Sequence, residues 1–469
     1  MSFDLALAGW VSGLIEMARF DARRHRAPDP SEGPLKLLFV GYNGARNTGS
    51  DVRVEEAVRQ FRHLFPQLRA TVVTQNPSLT DGYFAGANQV HAPDVFPQFL
   101  YRQVRQHDGV VACEGSMFKS TFANALSAMM FEGLGVAAAQ GKLSIAYGAE
   151  AGKMDRVLQV MCRRYCADSL VIARTLESQH IVEGYGVKNV KCGTDTAWTF
   201  EPDAPDVGTR ELKQAGWRDG DRLLIVCPTN PFWWPVKASF IKAAAWAVAG
   251  AYSRGHYRTI YFHRADAPVW AAYDRYLTAI ARGIDRFRRK QRVFIGLVAM
   301  EALDIDACER LSDSLGGVPI FSSRSHDMFR LVSVLRCADA ILSSRYHAIV
   351  TSMPARVPSA GIAMDERIRG LMGDRGHEHL LADCTDPNLE EKVFAMLGTL
   401  VRDRDGLRAE IGQATVTHLH RMARMGEDLV DYVRARHPGI PTRAARSWED
   451  YLPPLSPLLR DLVEVAVPS

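Results

Sequence analysis

Twice along this chain, short runs rich in Val and Ile alternate with longer segments of helical period, and that alternation leaves few folds open. Strand, helix and strand of one polarity form a crossover unit, and repeated units build an open parallel sheet with helices on both faces. The first series holds LKLLFV ending at Val40, ATVVT ending at Thr74, GVVAC ending at Cys113, LSIAYG ending at Gly148 and SLVIAR ending at Arg174. The second holds RLLIVCP ending at Pro228, TIYFH ending at His263, RVFI ending at Ile295, VPIF ending at Phe321, AILSS ending at Ser344 and VPSAGI ending at Ile362. Helical segments such as Lys237 to Ser253 and Met328 to Cys337 lie between them. Glu201 to Asp221, between the series, is polar and rich in Pro, Gly and Asp, as an interdomain linker is. The organisation expected is α/β: an N-terminal helix (1–33), a Rossmann-like doubly wound domain (34–200), the linker (201–221), a second such domain (222–395), and C-terminal helices with a Pro-rich tail (396–469) packing back across the halves.

A chain of 469 residues is too long for one core, which agrees with two domains. Lys and Arg number 57 against 53 Asp and Glu, so no global field draws the protein to nucleic acid, and an anionic ligand must be held locally. The eight cysteines contain no CxxC pair and sit mostly in apolar runs, which fits buried thiols in a reducing cytoplasm. The N-terminus carries Asp4 where a secretory signal has a basic region, Glu16 breaks its apolar stretch, and no other run is long enough to span a bilayer. Leu7, Val11, Leu14, Ile15 and Ala18 share one face of a helix that ends near Arg23, Arg24 and Arg26. That face either docks on its own protein or makes peripheral contact with a membrane.

Ligands of open α/β sheets bind beyond the carboxyl ends of the strands, so the loops there carry the functional reading. The first strand runs into Gly41-Tyr42-Asn43-Gly44-Ala45-Arg46-Asn47-Thr48-Gly49-Ser50-Asp51 and then an amphipathic helix capped by Ser50 or Asp51. Its glycines permit close backbone approach and the helix start offers N–H donors, with Gly41, Asn43, Asn47 and Asp51 as the candidates to face a ligand. The spacing matches neither standard nucleotide fingerprint. The third strand ends in Cys113-Glu114-Gly115-Ser116-Met117-Phe118-Lys119, where Glu114 is either a base or a backbone acceptor, Ser116 stands beside it, and Lys119 is suited to a phosphate. Arg174 ends the fifth strand; His263 and Arg264 end one strand of the second half, and Arg345-Tyr346-His347 follow another. Guanidinium groups present planar paired donors to carboxylate or phosphate oxygens, and an imidazole exchanges protons near neutrality. Trp233 and Trp234 either stack on a sugar or pack between the domains. His377, His379, His418 and His420 lack accompanying ligands at a recognisable metal spacing, and no metal is expected.

These residues resemble those of the polysaccharide pyruvyl transferases, over Lys36 to about Asp374. GYNGARNTGSD resembles the family's opening strand and loop, and Ala167 to Val187, with Asp195 after it, its central segment. Ala338 to Met372 resembles its Arg-Leu-His motif, the following strand, and the Asp-x-Lys-x turn that begins here at Asp365. Cys113-Glu114-Gly115-Ser116 stands where the family carries GGGS, Tyr346 where Leu is common and Arg367 where Lys is common. The resemblance implies a fold like the two-domain GT-B glycosyltransferases. It also implies transfer of pyruvate from phosphoenolpyruvate onto a saccharide as a ketal, with phosphate released and no cofactor. The acceptor would be a free, lipid-linked or nucleotide-linked saccharide of a cell-surface glycan. On that reading Arg345, with Arg174 and Lys119, binds the anion; His347 is the acid; Glu114 or Asp51 is the base; and Asp195, His263 and Asp365 contribute to binding. A nucleotide-sugar glycosyltransferase and a non-catalytic glycan- or nucleotide-binding protein are the alternative readings.

Overall fold

The computed structural model describes residues 3–24, 33–251 and 260–466. Arg26, Ser253 and Thr259, which the sequence reading used, lie outside the described residues. The first sheet has seven parallel strands: β1 (Lys36–Val40), β2 (Arg69–Thr74), β3 (Asn88–His91), β4 (Gly109–Ala112), β5 (Leu143–Ala149), β6 (Leu170–Ala173) and β7 (Asn189–Cys192). Their order is β3-β2-β1-β4-β5-β6-β7. The second half opens with β8 (Arg222–Cys227), followed by a short antiparallel pair, β9 (Lys237–Ala238) and β10 (Tyr261–Phe262). Then come β11 (Val293–Ala299), β12 (Ile320–Ser322), β13 (Ala340–Ser343), β14 (Ser359–Ala363) and β15 (Leu381–Asp383), forming with β8 a parallel sheet ordered β12-β11-β8-β13-β14-β15. Both sheets are covered on two faces by helices, which is why the central strands are apolar at nearly every position.

Chain order reverses between β1 and β4 in one sheet and between β8 and β13 in the other. These are the switch points where helices leave toward opposite faces and a crevice opens beyond the strand ends. All four strand ends carry loops singled out in the sequence, that after β8 through Trp233 and Trp234, and the two crevices face one another.

Four local expectations change. TIYFH does not join the parallel sheet: Tyr261–Phe262 pairs with Lys237–Ala238, so the helix expected from Lys237 begins only at Phe240 and ends at Ala249. The helix after β1 is capped by Asn47, whose side chain accepts from Ser50 N, and not by Ser50 or Asp51. Residues 201–221 hold a helix, Pro205–Gln214, which buries Gly208 and Leu212 and whose Gly208 N–H donates to the Ser333 hydroxyl oxygen at 3.0 Å. Three strands the sequence did not announce, β3, β7 and β15, lie at sheet edges.

The N-terminal helix Phe3–Ala22 buries Leu7, Ala8, Val11, Leu14, Ile15 and Ala18. It lies on the helix Asn124–Ala139, where Gly135 leaves room for Ile15: a β-carbon there would sit 2.7 Å from Ile15 Cδ1. At the other end the 33-residue helix Arg404–Arg436 leaves the second half and returns to the first. Gln60 Nε2 donates to its Met422 carbonyl at 3.1 Å, and its Tyr432 hydroxyl to Ser144 O at 3.1 Å. Its His418 stacks on Trp198 at 4.1 Å and bonds Thr194, so this imidazole is a buried structural group. One apolar core therefore runs from Phe39 and Phe61 through Trp198 to Ile349 and Met425, binding the halves together.

Candidate active site

The loop after β1 is shaped by its glycines and asparagines. Asn43 is fully buried and donates to Val73 O at 2.8 Å, tying the loop to β2. Gly44 has φ +83°, and a β-carbon there would lie 2.0 Å from Thr74 Oγ1, so no other residue fits. Its N–H donates to Asp51 at 3.1 Å, and burial raises that carboxyl to about 7 although the Gly44 hydrogen bond and Arg46 oppose it. Asn43 and Asp51 thus shape the loop from behind, while Gly41 and Asn47 line the cleft.

After β4, Glu114 accepts from Ser116 N at 3.0 Å and from Tyr42 N at 3.3 Å, clamping the β1 and β4 loops to each other. The adjacent Gly115 has no room for a side chain, because a β-carbon would lie 2.2 Å from Arg174 Nη2. Arg174 pairs with Glu150 at 2.7 Å and Asp195 at 2.9 Å, lies 4.9 Å over the Tyr346 ring, and leaves a buried Nε without an acceptor. Asp195 is the hub. Fully buried, it faces Arg53 at 3.2 Å, Arg174 and His347 Nε2 at 3.3 Å. Burial alone would raise its carboxyl, but Arg174, Arg53 and His347 outweigh it and hold it well below the usual range.

Arg345 caps the helix Tyr346–Ser352 and reaches back to the loop after β11. Its Nε donates to Asp304 at 2.8 Å and its Nη2 to Glu301 at 2.6 Å. Tyr42, from the first half, donates its hydroxyl to the same Glu301 at 3.2 Å. Thr48 N donates to Met300 O at 2.9 Å, again across the cleft. His347 is pushed down to about 4, because burial and the arginines outweigh Asp195. It is neutral near pH 7, so the ring Nε2 that meets Asp195 carries the donated proton and Nδ1 faces Gly49.

Two connected spaces result. A niche of about 50 Å³ is lined by Arg53, Arg174, Arg345, Arg367 and His347, with Gly49 and Ser50 from the helix start and Glu114 as its one carboxylate. Beside it opens a cavity of about 860 Å³, lined on one side by Gly41, Tyr42, Asn47, Glu114, Ser116, Glu301 and Arg345, and on the other by Phe122, Leu126, Met129, Trp234 and Tyr261. Asn47, Ser50, Glu114, Arg345 and Arg367 border both. His263 lines the large cavity, stacked on Trp233 at 4.2 Å. Trp234 lines it too while packing on Phe122 of the other half at 4.8 Å, the interdomain packing that is one of its two readings; Trp233 is buried with Val269 and Leu303.

Besides Asn43 and Asp51, which stand behind the loop so that Asp51 cannot serve as the base, three more expected ligand residues stand elsewhere. Lys119 is fully buried, with Nζ 3.1 Å from Glu150, 2.6 Å from Glu366 and 3.7 Å from Asp365. Its charge joins the halves and is not presented to a phosphate. Asp195 is walled off behind the guanidiniums it orients. Asp365 caps the helix Glu366–Asp374, and its carboxyl is pulled down to about 2 because Arg367 and Lys119 outweigh its burial. It holds Arg367 at 2.8 Å, with that guanidinium 4.8 Å over Phe122. Arg264 pairs with Asp266 in solvent.

Arg53, Arg367, Glu301 and Tyr42 are site residues the sequence reading did not select. Glu301 had a signal, standing two residues past the end of β11; Arg53 had none.

A family model for polysaccharide pyruvyl transferases matches residues 47–366. No curated protein matched the chain. Among solved structures, Anabaena HepE in complex with UDP-glucose is similar at a TM-score of 0.54 and 12% identity, over 86% of this chain and 100% of that one. A glycosyltransferase from Rickettsia africae ESF-5 is similar at 0.52 and 8%, over 86% and 98%. At such identities the likeness is one of fold: two parallel α/β domains in the GT-B arrangement.

Proposed function

The chain belongs to the polysaccharide pyruvyl transferase family and is a transferase, and from that premise we propose that it moves pyruvate from phosphoenolpyruvate onto a saccharide as a cyclic ketal. The observation that supports this is the niche: four guanidiniums and one carboxylate around space for a single oxyanion, opening into a cavity large enough for a sugar. Carboxylates behind the niche fix each guanidinium's direction, which preorganises donors for phosphate and carboxylate oxygens. The charge of a bound dianion next to His347 raises that imidazole's affinity for a proton, making it the acid on the methylene carbon. Glu114, bordering both spaces, takes the proton from the acceptor hydroxyl that adds to the central carbon. The bond from that carbon to the phosphate oxygen then breaks with its electron pair on phosphate, a second acceptor hydroxyl bonds the same carbon, and its proton passes to the departing phosphate as the ketal closes. The acceptor is a saccharide on a lipid or nucleotide carrier, held in the large cavity with Trp234 and His263 against its ring. We place the enzyme in the cytoplasm, since none of its eight cysteines is paired.

The test is phosphate release from phosphoenolpyruvate over free, nucleotide-linked and lipid-linked saccharides. Arg345→Ala should abolish phosphoenolpyruvate binding, while His347→Ala should keep binding and stop release. Native-rate release by both variants would overturn the assignment. The large cavity also has room for a nucleotide, and HepE binds UDP-glucose in the same fold. Stabilisation by UDP and none by phosphoenolpyruvate in a thermal-shift assay would favour nucleotide-sugar transfer instead.

A further inference from the structure

We propose that the helices Phe3–Ala22 and Phe240–Ala249 together form a docking surface for an anionic lipid bilayer, beside the apolar side of the large cavity. The N-terminal helix is apolar on two faces. One is buried against the protein, whereas the other carries Leu5, Trp10, Met17 and Phe20, each between 45% and 51% exposed, with the exposed Gly9 and Gly13 between them. A surface helix ordinarily turns charge to water on that face.

At its start this helix meets the second one, with the Phe3 ring 5.8 Å from Phe240 and 6.3 Å from Tyr261. No side chain of the helix Phe240–Ala249 is buried, and Ile241 and Val248 are 85% and 89% exposed. Apolar residues scattered singly over a surface are ordinary, but two adjoining helices that both show them are an interaction surface. Among the described residues no helix is long and apolar enough to cross a membrane, so the contact would be interfacial.

Charge selects the occupant. Arg23 and Arg24 are exposed at the end of the first helix, with the Arg24 guanidinium 4.2 Å above the Phe20 ring. Lys237 and Lys242 flank the start of the second, and no Asp or Glu stands between Lys237 and Arg264. The first helix's carboxylates are all engaged: Asp4 with Asn124, Glu16 with Arg19 and Arg164, Asp21 with Arg105 and Tyr101. Aromatic and aliphatic side chains bordered by cations suit a helix lying among anionic headgroups. Tyr261 touches Phe3 at the start of the first helix, and the helix Asn124–Ala139 carries that helix's buried face; both line the cavity, so a bilayer docked on the outer face lies one helix layer from it.

Sedimentation of the full chain with vesicles tests the proposal. The protein should pellet with phosphatidylcholine–phosphatidylglycerol vesicles and not with phosphatidylcholine alone. Binding should fall about tenfold or more in Trp10→Glu/Phe20→Glu and in Ile241→Glu/Val248→Glu, each losing apolar contact and gaining repulsion. Both variants should melt as the native protein does. Val465→Glu, at an exposed position on the C-terminal helix Pro457–Ala466, should bind normally. Absence of binding, equal binding to neutral vesicles, or binding that the glutamates leave intact overturns the proposal. So does a dimer seen by ultracentrifugation that Trp10→Glu/Phe20→Glu dissolves without any vesicle binding, since it gives the face to a second copy of the chain.

Discussion

Gly49 and His347 meet across the cleft so closely that a β-carbon on Gly49 would lie 2.3 Å from the imidazole Nδ1. The helix start of one half therefore rests on the imidazole of the other, and the contact sets both the closure of the halves and the direction of the ring. In an isolated helix Gly→Ala would gain up to about 1 kcal/mol. Here His347 is held by Asp195 at 3.3 Å and by the Tyr346 ring at 5.0 Å, so the added methyl overpacks the contact, at a cost of about 1–3 kcal/mol. Gly49→Ala should lower the melting temperature in calorimetry and slow phosphate release. A raised melting temperature would show that the halves give way freely.

The neutral imidazole makes anion binding proton-linked. His347 is pushed down to about 4 by burial and the neighbouring arginines. A phosphate or phosphoenolpyruvate in the niche adds negative charge beside it and moves that value upward. Binding near neutral pH should then take up a fraction of a proton and tighten as the pH falls. Calorimetric titration in two buffers of different ionisation enthalpy measures the uptake, and His347→Gln should remove its own share. Equal uptake by the variant would assign the proton to the ligand.

Asp51 supplies a stability prediction with a definite sign. Its folded value is about 7 against an ordinary 3.8, chiefly through burial. Between those two values the folded protein keeps a proton that the unfolded chain releases, so stability is fully present below about 4 and drains away as the pH climbs to about 7. The loss amounts to at most about 4 kcal/mol. Asp51→Asn still offers an oxygen to Gly44 N and has no charge to bury. It should therefore be more stable than the native protein at alkaline pH, and the difference should shrink on acidification. Denaturant melts across the pH range check this, and parallel curves would refute it.

What could be read in advance follows from what a binary pattern records. β1, β4, β8 and β13 are buried on both faces, so each wrote an unbroken apolar run, and the loops at their ends could be named. Asn88–His91, Asn189–Cys192 and Leu381–Asp383 lie at sheet edges, where polar residues are tolerated, and they left no such run. The helix after β1 misleads for the opposite reason. Asp51, Arg53, Glu55 and Glu56 read as solvated charges, yet all four are buried because the first half's own loops close over them: Gly44 N meets Asp51, the Cys113 and Gly148 carbonyls and Asp195 take Arg53, Ala85 N meets Glu55 and Thr199 meets Glu56. Lys119 stands at a strand end, as a phosphate ligand would, but one carboxylate that engages it lies 247 residues further on. Spacing along one strand end carries no information about that partner.

Arg345 faces two carboxylates, and their competition should limit how tightly the niche holds an oxyanion. Glu301 takes its Nη2 at 2.6 Å while Asp304, raised to about 6 mainly by burial, takes its Nε at 2.8 Å. Glu301→Gln keeps the volume and an acceptor for the Tyr42 hydroxyl, but removes one of the two negative charges beside the guanidinium. Asp304 alone continues to orient Arg345, so the donor stays in place with more of its charge available to a ligand. The variant should bind phosphoenolpyruvate about tenfold more tightly, equivalent to about 1.4 kcal/mol. Titration calorimetry reads the change directly. Weaker binding would mean that Glu301 fixes the position of Arg345 more than it competes for its charge.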